Sequence, residues 1–225
     1  MNITIKNPEA ILAIDNSYIS DTLKLSSGIN TEMTLREFIS GAGGHLAIRR
    51  RQELETNEAY RQIIACAIIA KGDPCDLKSL RFLAYRSSVS SGESRMSGLL
   101  RLDCGGHVDF KDITCFENGE INLDQTVRNS RDRELSEEIG LHGSALVASE
   151  RLHYGVITNN GSQMGRVHVG LMELIIVPNS WQLDPSASEM NLIGYFTADE
   201  LRAKNEAGEV KIGPWTGFVI DSILD

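Results

Sequence analysis

The stretch Arg133-Glu134-Leu135-Ser136-Glu137-Glu138-Ile139-Gly140-Leu141 decides how this chain is read. Placed on a helix, Glu134, Glu137 and Glu138 fall at i, i+3 and i+4, so three carboxylates project from one face within a single turn. Like charges at that spacing destabilise a helix by roughly a few tenths of a kcal/mol per pair, so something positive belongs among them. Arg133, four residues ahead of Glu137, neutralises part of the charge. A hard divalent cation, which takes oxygen ligands and keeps positions for water and phosphate oxygens, accounts for the rest. Gly140 supplies the left-handed stop that residues with a Cβ avoid. A solvated helix face is the plain reading of any three glutamates, and the residues around them weigh against it.

Upstream, Leu99 to Cys104 runs into Gly105-Gly106-His107, where paired glycines let backbone approach a ligand closely. His107 is a poor ligand for an oxygen-coordinated magnesium ion and reads as a positioning or packing residue. Arg133, Glu134, Leu135, Glu137, Glu138, Gly140 and Leu141 fill every fixed position in the second half of the pattern G-x5-E-x7-R-E-U-x-E-E-x-G-U, with U aliphatic. The run therefore resembles the Nudix box. Gly92-Glu93-Ser94-Arg95, Gly105-Gly106-His107 and Gly165-Arg166-Val167-His168-Val169-Gly170 further resemble a bacterial and phage, MutT-like branch of that superfamily labelled predicted phosphoesterases.

The resemblance implies an α/β Nudix fold, a mixed sheet sandwiched between helices. It implies hydrolysis of a pyrophosphate bond in a nucleoside diphosphate linked to another moiety, with Mg2+ or Mn2+ held by Glu134, Glu137, Glu138 and the Gly106 carbonyl. Arg133 would orient a glutamate. Glu189, on the loop ahead of a helix that starts at Thr197, would act as general base, with Glu134 or Glu138 the alternatives. Arg86 and Arg95 flank a loop of small polar residues, and their guanidinium groups suit phosphate oxygens or simple surface exposure equally. The implied partner is a small nucleotide, with an RNA 5′ end the one nucleic acid in view; a homodimer is compatible with the family.

The first half of the box departs from the pattern. Gly106 and Arg133 are 27 residues apart where the pattern allows 14, an insertion of 13. Counting back from Arg133 puts Gln125 at the glutamate of that half, counting forward from Gly106 puts Asp112 there, and matching a local Gly-Glu pair puts Glu120 there. Glu120 is favoured, because an acid beside a metal cluster adds Coulomb attraction that an amide lacks and Gly119 permits the tight turn before it.

Two rival functions are weighed. A non-catalytic nucleotide-binding regulator of the same fold typically loses box glutamates, and this chain keeps all three of the second half. An isoprenoid-diphosphate isomerase needs a catalytic cysteine; Cys104 lies beside the glycine pair, but the Ser-His-Pro context of such enzymes is absent.

At 225 residues and 41% hydrophobic, the chain can bury a sizeable core, read as residues 61–225 forming the Nudix domain with residues 1–60 as an N-terminal extension packed on it. A net charge of -9 argues against a protein that grips a phosphate backbone. Cys66, Cys75, Cys104 and Cys115 have no zinc spacing and read as reduced thiols. With no apolar run near the roughly 18 residues of a membrane span and no signal-like N-terminus, a cytoplasmic protein is expected.

Within the extension, Ile11 to Ile14 reads as a strand and Thr34 to Ile39 as a helix stopping at Gly41. Farther on, Ile63 to Ala70 reads as a buried strand with Leu80 to Tyr85 as its hairpin partner. Ala145 to Thr158 and Arg166 to Val177 read as long strands, with His168 either lining a pocket or satisfied on a sheet face. Thr197 caps a helix and Pro214 opens the last one.

Overall fold

The computed structural model describes residues 9–24, 27–87, 98–183 and 190–225. Strand β1 (Ala10–Asp15) ends in an aspartate whose carboxylate accepts from the Ser17 amide and so caps helix α1 (Asn16–Leu23). Strand β2 (Ser27–Asn30) leads to helix α2 (Leu35–Ala42), where Thr34 and Glu37 form a reciprocal capping box. That helix passes through Gly41, the expected stop, because Gly41 lies against the Tyr18 ring and its lack of a side chain is used for packing. Strand β3 (Leu46–Arg50) and the single turn α3 (Arg51–Leu54) follow. Arg50 and Arg51 pair with Glu53, Glu9 and Glu55, and Arg49 lies over the Tyr60 ring.

The long strand β4 (Tyr60–Lys71) is buried along most of its length. Its alternate residues enter different layers. Ala67 and Ile69 pack with Leu135 and Ile139 on one face, while Cys66, Ile68 and Ala70 pack with Val219, Ile220 and Ile223 on the other. A strand covered on both faces has no polar side to present, hence its continuous apolar run. Next come β5 (Arg81–Ser87), β6 (Leu100–Arg101), β7 (Asp103–His107) and, after a 3-10 turn at Phe110–Asp112, helix α4 (Leu123–Ile139). Helix α5 (Gly143–Val147) precedes β8 (Glu150–Asn159); one turn, α6 (Gln163–Arg166), precedes β9 (His168–Ile176). Strand β10 (Met190–Phe196), helix α7 (Ala198–Glu206) and helix α8 (Pro214–Leu224) complete the chain.

The described strands form one mixed sheet with the path β10-β5-β4-β9-β8-β2, to which β1, β3, β6 and β7 attach. β4 and β9 are parallel, from Gln62↔His168 to Ala70↔Ile176; the other pairings are antiparallel. α4 covers one face and α8 the other, the sandwich expected from the order of elements. The expected hairpin partner of β4 meets it only at Ala70↔Phe82 and Lys71↔Arg81, because β5 turns away to pair with β10. The strands expected from Ala145 and Arg166 start later. Gly143, in the left-handed region at φ 57°, and the Ser162 cap each wind a short helical turn before the strand begins.

Within the first 60 residues, β1 and β2 join the sheet directly, β1 pairing with β4 and β2 with β8. Arg61 fastens this region internally. It is 3% exposed, and its guanidinium donates to Asn16 Oδ1 at 2.6 Å, Asn160 Oδ1 at 2.6 Å, and the carbonyls of Gly165 at 3.3 Å and His168 at 3.2 Å. Among the described residues no helix is long and apolar enough to cross a membrane.

Candidate active site

α4 places the acidic residues. Asn122 caps it, its side chain accepting from the Gln125 amide, and Gly140 ends it at φ 65°. Leu135 and Ile139 face the core, which turns Glu134 and Glu138 toward the Gly105–Gly106 backbone and leaves Glu137 on the outer side. Glu138 Oε2 accepts from the Gly105 amide at 2.8 Å. A Cβ at Gly106 would lie 2.5 Å from Glu134 Oε1, so that carboxylate occupies space that only glycine leaves open. Gly105 is equally constrained, with φ 138° and a would-be Cβ 2.2 Å from the Ala65 carbonyl oxygen.

Arg133 ties the carboxylates together. Its Nη1 reaches Glu134 Oε1 at 2.6 Å and Glu137 Oε2 at 3.1 Å. Its Nε and Nη2 donate to Asp112 at 3.0 and 2.8 Å, a two-point contact suited to a planar guanidinium. Asp109 stands 3.5 Å from the same Nη2. Burial pushes the Glu138 carboxyl up to about 8, with the Glu134 charge adding to it and Arg101 and the Gly105 amide opposing. Burial also raises Glu134, despite the contact with Arg133.

Glu120 is not brought to this cluster. It is exposed in the turn of the insertion, where its carboxylate accepts from the Asn118 side chain. Gln125 is also exposed, donating to Asn129. Of the three placements read from the sequence, the structure brings Asp112, 6% exposed and bonded to Arg133, to this cluster, with the inserted residues following it, and leaves Glu120 and Gln125 away from it. The inserted residues form a loop closed by the Cys115↔Ile121 bridge and fastened to α4 through Thr114 and Thr126. With Asp112 one methylene shorter than glutamate, Arg133 still spans the gap. Asp112→Asn is expected to weaken Mn2+ affinity about tenfold by loosening Arg133, with Glu120→Gln unchanged. Titration of both variants checks this, and the opposite ranking would restore Glu120.

Arg86 lies partly buried on β5. Arg95 and Glu189 fall outside the described residues. Cys104 is fully buried among Leu135, Ile139 and Ala67, and burial pushes its thiol well up, an environment that disfavours the thiolate a nucleophile needs. His168 is not a pocket residue in waiting, since both ring nitrogens have partners.

Among the described residues, no three His, Cys, Asp or Glu side chains stand grouped as a metal cluster. Glu134 and Glu137 are turned onto Arg133, and Glu138 onto the Gly105 amide. The donor set nonetheless fits a hard cation. It is all oxygen, it carries excess negative charge beside a glycine backbone, and burial of Glu134 and Glu138 makes an uncompensated second charge costly.

No family model matches the chain, and no curated protein matches it significantly. Among solved structures it superposes on Tm1382, a candidate Nudix hydrolase, with a TM-score of 0.70 at 19% identity, covering 96% of this chain and 98% of that one. The chain has the Nudix fold. At that identity the likeness establishes the fold alone, and at 96% coverage it takes in the N-terminal strands as well as the helix that carries the glutamates. A Nudix hydrolase from Alicyclobacillus acidocaldarius (14% identity, TM-score 0.44, covering 72% of this chain and 90% of that one) and a mutT/nudix family protein from Listeria innocua (18%, 0.42, 72% and 94%) overlap less completely.

Proposed function

We propose that the chain is a metal-dependent Nudix hydrolase that cleaves the pyrophosphate bond of a nucleoside diphosphate linked to another moiety. The observation that carries this reading is the convergence of Glu134 and Glu138 on the Gly105–Gly106 backbone, with Arg133 holding Glu134, Glu137 and Asp112. Glu134, Glu137, Glu138 and the Gly106 carbonyl would hold Mg2+ or Mn2+. When bound, such an ion neutralises the diphosphate and lowers the pKa of a bound water.

The protein's own residues do the positioning. Arg133 keeps Glu134 and Glu137 on one side of the helix, and the Gly105 amide orients Glu138. Glu138, whose carboxyl burial pushes up to about 8 in the metal-free protein, is one candidate general base; Glu134 and Glu189 are the others that the sequence offers. Arg86 and Arg95 are the candidate contacts to substrate phosphates.

The test is a phosphate-release screen with Mg2+ or Mn2+ across nucleoside triphosphates, dinucleoside polyphosphates, nucleotide sugars, ADP-ribose, NADH and capped RNA. Hydrolysis of at least one, lost on chelation, is the expected result. Nucleotide binding without turnover of any of them would transfer the chain to the regulators.

A further inference from the structure

The Gly105–Gly106 backbone, against which Glu134 and Glu138 lie, is held from the α4 side by hydrogen bonds to that helix. The other side of the sheet holds it too. His107 pairs with Ile64 across β7 and β4, and His168 pairs with Gln62 across β4 and β9. Ile64 packs in the layer under α8, so the two imidazoles project from the face away from α4. They meet there, Nε2 to Nε2 at 3.2 Å. His168 Nδ1 lies 2.7 Å from the Met164 carbonyl oxygen.

These contacts assign the protons. A carbonyl oxygen only accepts, so His168 carries its proton on Nδ1, and in the neutral ring its Nε2 is a bare acceptor. His107 then donates from Nε2–H. Two charged rings would set N–H against N–H at this separation, so at most one ring of the pair is charged. Burial, the nearby Arg51 and His168 itself all keep His107 uncharged, pushing its pKa well below the usual histidine value. On the opposite face the His107 backbone carbonyl accepts from Ser130 Oγ at 3.2 Å and Arg133 Nη2 at 3.4 Å.

We infer that His168 is a positioning residue of the candidate active site: through the His107 ring it fixes, from behind the sheet, the glycine backbone on which Glu134 and Glu138 rest. An unbroken series of contacts runs from the Met164 carbonyl through His168 and His107 to Arg133 and the carboxylates. His168 touches none of the reacting groups. It acts by denying the β7 end the freedom to lift off α4, freedom that two adjacent glycines would otherwise give it. The inference rests on the proposed metal site only for its catalytic meaning; the mechanical part stands on the contacts.

The experiment uses the full chain and two readouts. Amide hydrogen exchange by NMR on the metal-free protein follows Gly105 and Gly106, with Leu174 and Ile175 in β9 as internal controls. Mn2+ affinity is measured in parallel. His168→Leu removes the acceptor and is expected to speed exchange at both glycines about tenfold and to weaken Mn2+ binding by about the same factor, leaving the control amides unchanged. His168→Gln, whose side-chain carbonyl can accept from His107, is expected to restore both. Should His168→Leu fail to fold, His107→Phe, which keeps aromatic bulk and removes the donor, carries the same comparison. Glycine exchange that stays at the wild-type rate, or His168→Gln behaving no better than His168→Leu, overturns the inference. Wild-type protein that shows the expected exchange pattern but binds no Mn2+ overturns the metal reading instead and leaves the positioning role standing.

Discussion

Replacing Glu138 by Gln lowers turnover by about a thousandfold, ~4 kcal/mol of barrier, under saturating Mg2+ or Mn2+. The exchange of one carboxylate oxygen for an amide keeps the shape and keeps an acceptor for the Gly105 amide, so the local fold is preserved. It removes the charge that a hard cation uses and one of the candidate general bases. The same substitution separates function from stability. Because the folded, metal-free carboxyl of Glu138 is pushed up to about 8, above its value in an unfolded chain, it stabilises the fold at low pH, and that stability is lost as pH rises through about 8. Glu138→Gln, which carries no titrating group, is therefore expected to melt no lower than wild type in metal-free buffer above that pH.

Metal changes the sign of the linkage. Below about 8, binding to the ionised carboxylate displaces a proton, so Mn2+ affinity of the wild type is expected to climb with pH, by at most about tenfold per unit, and to level off above. The variant should lose that slope. A Glu138→Gln protein with wild-type turnover and a wild-type pH slope in Mn2+ titrations would sink the assignment of the site.

How much of this was legible depended on whether a contact follows from local spacing. Glu134, Glu137 and Glu138 are close in sequence, and helical geometry alone sets their face, with Gly140 marking the end. The partner of Arg133 was harder. Asp112 is 21 residues away across an insertion, and the preference for a full-length glutamate pointed to Glu120, whereas Arg133 reaches a shorter acid that the 3-10 turn has already placed. The first strand, the caps at Thr34 and Thr197 and the start of the last helix at Pro214 follow from local chemistry, and the structure has them. The meeting of His107 with His168 does not follow from local chemistry. It requires β4 to lie between β7 and β9, with β9 parallel, a crossover that periodicity cannot register. For the same reason nothing local to Arg61 marks it as a buried fastener. Its four partners come from two separate segments of the chain, α1 and the β8–β9 connection running into β9.

That side chain carries the second large effect. Arg61→Met is expected to destabilise the fold by roughly 4 kcal/mol, because methionine fills much of the volume but leaves two asparagine side chains and two backbone carbonyls without a donor, each buried unmade bond costing about 1–3 kcal/mol less whatever local relaxation recovers. For a chain of this size that corresponds to a fall of about 10 °C in Tm. Among the described residues no carboxylate lies in its hydrogen-bonding shell, although the charge of Glu58 acts on it from farther off; its acceptors are neutral oxygens, so the loss should depend on salt only weakly, unlike that of a surface ion pair. Arg166→Met is the matched control. It removes a pair with Glu58 in which both side chains are well exposed and a long 3.4 Å bond to the Asn160 carbonyl, and is expected to stay within about 1 kcal/mol of wild type. Because Arg61 joins Asn16 of α1 to the β8–β9 connection, its loss should lower one cooperative transition without splitting it. Urea unfolding followed by two probes measures this: a shared midpoint that moves down with an unchanged slope is the expected result. A variant within about 1 kcal/mol of wild type would show that solvent replaces these bonds readily, and a first transition confined to the N-terminal strands would show that they fold apart from the rest.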